Sequence, residues 1–191
     1  MPLVLTAPPA LEPVTLDEAK AHLKVDASDD DALIATLIAA ARAKAEWHTG
    51  RAFVTQGWTL WLDRWPCADG VRLAAEIPLP PLQAVARIAA YGCDDGETVL
   101  DPSAYQVDGA SGPARVALKT GAAMPADPRR LNAVAIDFTA GYGGDGTDVP
   151  AGVRAAILEI VAALYANRGD SAGELPLAAL ALLAPYRVVK I

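Results

Sequence analysis

The residues of this chain best suited to chemistry form the run Gly141-Tyr142-Gly143-Gly144-Asp145-Gly146. It spells G-x-G-x-x-G between an alternating apolar segment and an amphipathic one. In the right setting such glycines let the backbone approach a pyrophosphate and aim a helix N-terminus at it. Three features oppose that chemistry here: no strand–helix–strand unit surrounds the run, the next helix begins several residues too late, and Asp145 and Asp148 would repel a phosphate. The run therefore reads as a flexible connection that glycine permits, or as a loop that orders at an interface. Asp26, Asp29, Asp30 and Asp31 offer carboxylates to a hard cation but lack the glycine and terminal glutamate of a calcium loop. They are expected to cap a helix and complement its positive end. His22 and His48 lie on predicted helices with no Ser or Cys nucleophile in an elbow beside them. Cys67 and Cys93 lack C-x-x-C spacing and are expected to be free thiols. No catalytic residue, cofactor or metal is assigned.

Those residues must be carried by a body that the composition allows. The chain has 191 residues, 53% hydrophobic and 20% charged, enough to bury a core of its own. Its net charge of −7 and pI near 4.7, with Lys and Arg nowhere clustered, argue against a nucleic-acid-binding surface, which needs grouped cations to release counterions. Met1-Pro2-Leu3-Val4 lacks the basic region of a signal peptide. No window reaches the ~18 uninterrupted apolar residues of a membrane span. Synthesis in a reducing cytoplasm, away from membranes, is the expectation.

The elements follow from local pattern. Thr15-Leu16-Asp17-Glu18 is a capping box, with Leu16, Ala19 and Leu23 on one face behind it. A second helix starts near Ser28-Asp29-Asp30-Asp31 and carries Leu33, Ile34, Leu37, Ile38, Ala41 and Ala45 at helical spacing to a stop at Gly50. Its other sides hold Ala35, Ala39, Ala40 and Ala43, so it is expected to pack on more than one side, against its own strands or another subunit. From Phe53 to about Thr139 the period becomes two, with strands predicted at 58–62, 85–91, 115–118 and 134–138 and a tight turn at Asp95-Gly96. Pro78, Pro80 and Pro81 mark an irregular crossing. A third helix is predicted from Val149-Pro150 to about Arg168, with Asp148 as its cap. The fold class is α+β: about three helices packed with a small antiparallel β region and an extended C-terminal tail. Residues 1–168 form the domain, with helices at about 15–50 and 149–168 and the β region at about 53–140; residues 169–191 form a linker and tail.

The tail carries the strongest signal for a partner. Leu182, Leu183 and Pro185 lead into Tyr186-Arg187-Val188-Val189-Lys190-Ile191, whose apolar residues alternate and whose Arg187 and Lys190 are basic in an acidic chain. Greasy surface at a terminus is expected to be covered by another polypeptide, and a strand edge elsewhere would satisfy its backbone. Arg51 is expected to be a structural hub whose guanidinium bridges carboxylates or carbonyls at the helix-to-strand corner. Trp47, Trp58, Trp61 and Trp65 lack accompanying cations and are expected in the core or a subunit contact.

Taken in order, Thr15 to Leu23, Asp30 to Ile34, Thr49-Gly50-Arg51-Ala52 with Gln56 and Trp58, Leu79-Pro80-Pro81-Leu82, Ala140-Gly141-Tyr142-Gly143, Val149-Pro150, Tyr165-Ala166-Asn167-Arg168 and Leu182 to Arg187 give the chain a family likeness from end to end. It resembles the head-tail connector, or adaptor, proteins of tailed bacteriophages and of phage-derived gene transfer agents. The resemblance implies an α+β subunit in a ring, a dodecamer, between the portal and a tail-side stopper or tail terminator protein, at the neck of a particle. It implies a central DNA channel without specific DNA binding, no catalysis, and a C-terminal segment that docks on the portal. The run Gly143 to Thr147 departs from the pattern as an insertion of variable length. Charge agrees with a conduit: −7 per subunit becomes on the order of −80 around roughly twelve copies, a field that keeps DNA from adhering. The alternatives are a monomeric ligand-binding α+β domain and a nucleotide-using enzyme built on Gly141–Gly146.

Overall fold

The computed structural model describes residues 2–68, 71–122, 124–167 and 174–188. In chain order its elements are β1 (Leu3–Ala7), α1 (Leu16–Leu23), α2 (Asp31–Thr49), β2 (Gln56–Leu62), β3 (Cys67–Ala68), β4 (Val71–Arg72), β5 (Ala75–Ile77) and β6 (Leu82–Tyr91). There follow β7 (Glu97–Val99), β8 (Tyr105–Asp108), β9 (Ala114–Leu118), β10 (Val134–Ala140), α3 (Ala151–Ala166) and α4 (Leu177–Leu183). The α+β class is as expected, with a fourth helix that the sequence pattern did not disclose. The chain divides into two compact units: Met1–Pro9 with Thr55–Gly141, and Ala10–Val54 with Tyr142–Ile191. Among the described residues no helix is long and apolar enough to cross a membrane.

The first unit is β-structured. Five antiparallel strands run β1-β2-β10-β6-β7, a second sheet runs β5-β9-β8, and β3 and β4 pair as a small hairpin. Central β10 is almost uniformly apolar, and Val134, Ala135, Ile136, Phe138 and Ala140 are all buried. A strand covered on both faces loses the alternation of a half-exposed one. Its one carboxylate, Asp137, stands opposite Thr59 on β2 and Arg87 on β6. It accepts from the Thr59 hydroxyl at 2.6 Å and from Arg87 Nε at 2.9 Å. Arg87 reaches on to Glu97 at 2.8 Å, so register alone lays a polar ladder across four strands. At the Asp95-Gly96 turn it is Asp95, not the glycine, that adopts a positive φ of 61°; an aspartate tolerates this better than most residues. Strand β1 was not anticipated, because five residues with no polar alternation carry no period-two signal.

The second unit is helical. The Thr15 hydroxyl accepts from the Glu18 amide, and the Glu18 carboxylate accepts from the Thr15 amide at 2.8 Å, completing the box. That backbone N–H bond, against some burial and with Arg154 adding to it, holds the Glu18 carboxyl below its ordinary range. Helix α2 ends at Gly50, whose φ is 69° and whose N–H donates to the Glu46 carbonyl. Its inner face is Ile34, Ile38, Ala41 and Ala45, all buried in one cluster with Val153, Ala156, Ile157, Ile160 and Val161 of α3. Leu33, assigned to that face by spacing, is exposed. The acidic run caps nothing with a side chain: Asp30 precedes α2 without a capping bond. Asp30 accepts instead from the Tyr165 hydroxyl at 2.5 Å, and Asp31 pairs with Lys20 at 2.6 Å. Asp148 does not cap α3, which follows Pro150; its carboxylate takes the Asp145 amide at 3.0 Å. The four tryptophans divide: Trp65 is buried with its indole N–H on the Leu73 carbonyl, Trp58 and Trp61 are half-buried, and Trp47 is 90% exposed. Cys67 and Cys93 are free and exposed.

Candidate functional site

The C-terminal segment was singled out by its chemistry, and the helical unit shows how residues 174–188 of it are held. Pro176 opens α4 with its fixed φ, and the helix turns Ala179 and Leu183 into the core, each 0% exposed. A single 3-10 turn, Ala184–Tyr186, follows, and Pro185 stands in it exposed. The Tyr186 ring lies against the first turn of α3 at Gly152, where a β-carbon would come within 3.3 Å of the phenol oxygen. Glycine at that helical position is what lets the ring approach. The Val188 amide then donates to the Thr49 carbonyl at 2.8 Å, at the end of α2.

Arg51 supplies the key polar contact. Its Nε donates to the Tyr186 carbonyl at 2.5 Å. The same guanidinium faces Tyr142; burial pushes that phenol's pKa up, while Arg51 draws it down. One cation thus ties the corner after α2 to the turn after α4. The expectation that the body leaves this tail uncovered is corrected: Leu183 is fully buried and Leu182, Tyr186 and Val188 are half-buried in their own unit. An apolar run at the end of a sequence looks the same whether its cover comes from another chain or from an earlier helix of its own, here chiefly α3. Pro185 and Arg187 remain exposed. Val189, Lys190 and Ile191, like the linker at 169–173, lie outside the described residues.

A second network braces the same corner. Arg42 on α2 reaches Glu12 and Glu46 at 2.6 Å each, and Glu46 accepts from the Phe53 amide at 2.8 Å. Burial opposes the Arg42 charge, but the two carboxylates more than offset it and raise the guanidinium pKa. Sequence reasoning missed this site. Its one visible trace is the i, i+4 pair Arg42–Glu46.

The Gly141–Gly146 run does not make a phosphate cradle. The Asp145 amide is taken by Asp148 and the Thr147 amide by Asp145 at 2.8 Å, so these donors are spent on the loop's own carboxylates. A β-carbon at Gly143 would overlap the Asp148 carboxylate, which explains that glycine by close approach. No group of three metal-ligating side chains occurs among the described residues. His22 stands 4.0 Å from Glu159, as a helix-surface pair.

Comparison with known proteins adds independent findings. The model of a family described as phage gp6-like head-tail connector proteins matches residues 13–93. Three solved structures hold chains of the same fold, each match covering 100% of this chain and 97% of the other. The chain in the neck of an empty gene transfer agent particle, computed with C6 symmetry, is 25% identical with a TM-score of 0.81. The chain in the neck of a native particle, computed with C12 symmetry, is 27% identical with a TM-score of 0.78. The chain in the virion of a native gene transfer agent is 24% identical with a TM-score of 0.82. No curated protein matches the sequence. The resemblance read from the ordered motifs is thus met again by a family model and by whole-chain similarity of fold.

Proposed function

We propose, for a chain that resembles phage head-tail connectors over residues 13–93 and particle-neck chains in its whole fold, that its copies close a ring at the neck of a phage or phage-like particle, between portal and tail. The observation that carries this reading is the near-complete mutual coverage with the particle-neck chains, at 25% and 27% identity. The ring is a dodecamer, in keeping with the C12 symmetry of one such neck. It encloses a channel whose walls share the charge of −7 per subunit, so DNA passes without adhering. A stopper or tail terminator protein follows on the tail side. No catalytic step belongs to this function.

The portal-facing element in this proposal is the end of the C-terminal segment: Pro185 and Arg187, which are exposed, together with Val189, Lys190 and Ile191. Leu182, Leu183, Tyr186 and Val188 serve as its anchorage. A cation at the end of an acidic subunit sets which partner it meets. Arg187→Glu combined with removal of Val189–Ile191 is expected to leave the thermal midpoint unchanged and to weaken loading onto portal-bearing capsids at least about tenfold. Loading at the wild-type level, scored by electron microscopy of the necks, would refute the docking role.

Arg51 is proposed as the hub that holds this anchorage in place. Arg51→Ala strips the Tyr186 carbonyl of a charged donor and is expected to cost about 2 kcal/mol in chemical denaturation. Arg51→Lys should recover only part of it, since an ammonium lacks the planar fork by which the guanidinium presents Nε to the Tyr186 carbonyl. An unchanged midpoint for Arg51→Ala would show a solvated arginine with no such role.

A further inference from the structure

Helix α2 has a second apolar side. At 3.6 residues per turn, Leu33, Thr36, Ala40, Ala43 and Trp47 fall within an arc of roughly 80°, opposite the buried Ile34, Ile38, Ala41 and Ala45. All five are exposed, Leu33 at 37% and Trp47 at 90%. The outward side of a surface helix ordinarily carries charge. Here no member is ionisable, and the one polar group is already satisfied, because the Thr36 hydroxyl donates to the Ala32 carbonyl at 2.9 Å. The result is a strip about 21 Å long, bounded by two large apolar side chains with two alanines between them. Small residues between large anchors let another backbone settle closely, and a tryptophan at such a place is the side chain most often found at the energetic centre of an interface.

We propose that this strip is the seat of a neighbouring copy of the same chain, and that the assignment rests on the ring reading above. Charge selects the occupant. Two copies carrying −7 each repel wherever their acidic surfaces meet, so self-association favours a face poor in carboxylates; the five positions hold none, and the one carboxylate at the Trp47 end, Glu174, lines a surface hollow there together with Lys44. A DNA backbone would require cations, and none lies on the five positions. A closed ring demands a head-to-tail contact, with one face of each copy against a different face of the next. The strip supplies the first of those faces.

Light scattering and electron microscopy of the full chain, alone and with portal-bearing capsids, test the assignment on two variants. Ala40→Glu places a carboxylate at the centre of the strip; Trp47→Ser removes an end anchor at a position too exposed to affect folding. Both are expected to keep the wild-type circular dichroism and thermal midpoint and to lose ring formation at least about tenfold. Trp47→Phe should assemble within about twofold of wild type. Its difference spectrum should show that the Trp47 emission, solvent-like in the lone subunit, moves to the blue on assembly. Rings of wild-type yield from both Ala40→Glu and Trp47→Ser would overturn the assignment alone. So would variants that close rings but fail on the portal, since the portal would then occupy the strip, and so would a blue Trp47 emission in the lone subunit, since the chain would cover the strip itself. A wild-type chain that forms no ring even on the portal overturns the connector reading and the assignment with it.

Discussion

Leu183→Ala is expected to destabilise the helical unit by about 3 kcal/mol, lowering its midpoint by roughly 10–20 °C. Leu183 is 0% exposed and belongs to the cluster that joins Ile34 and Ile38 of α2 to Val153 and Ile157 of α3. Truncation removes the transfer energy of three carbons, the Cγ and its two methyls, and leaves a void that packed helices cannot easily close. The contrast that makes this informative is Leu177, on the same helix but 85% exposed. Leu177→Ala should shift stability by no more than about 0.5 kcal/mol. Denaturant titration followed by circular dichroism reads both variants. If they behave alike, α4 is not part of the core, and the segment becomes a free docking arm again. If they differ as expected, any loss of portal loading in Leu183→Ala reflects a loosened anchorage and not a lost contact.

Arg42→Ala is expected to cost about 3 kcal/mol, a far larger effect than an i, i+4 pair on an open helix face, which is worth about 0.3–0.5 kcal/mol. The difference lies in what remains behind. Arg42 and Glu46 side chains are each only 14% exposed, and Glu12 29%. Without the guanidinium two carboxylates stand together in a place water reaches poorly, and Glu46 is also committed to the Phe53 amide at the start of the crossing out of α2. Arg42→Lys should fall between, since one ammonium cannot present Nε to Glu12 and Nη1 to Glu46 at once. Equal stability of Arg42→Ala and wild type in urea would show the network to be a solvated surface group.

Much of this molecule could be read directly from residues close to one another along the chain. The capping box at Thr15 and Glu18, the inner face of α2, the apolar face of α3 and the extended runs that become β2 and β6 are set by residues within a few positions of one another. Periodicity reports such things because a helix or strand repeats its environment every few residues. Periodicity is silent on what a given side will meet. It placed Leu33 inside when the helix turns it outward, and it made Asp148 a helix cap when that carboxylate closes a loop. It also gave α2 two apolar sides without saying which belonged to the core. The order of helix-like and strand-like segments was enough for the α+β class, and the order of the motifs for the resemblance to head-tail connectors. The three-dimensional arrangement alone decided that the C-terminal residues through Val188 are seated on their own unit. Those contacts, Arg51 to Tyr186 across 135 residues and Arg42 to Glu12 across 30, join parts of the chain that share no local pattern. Burial depends on which surfaces come together in space, and that is a property of packing between elements, which no single element's spacing contains.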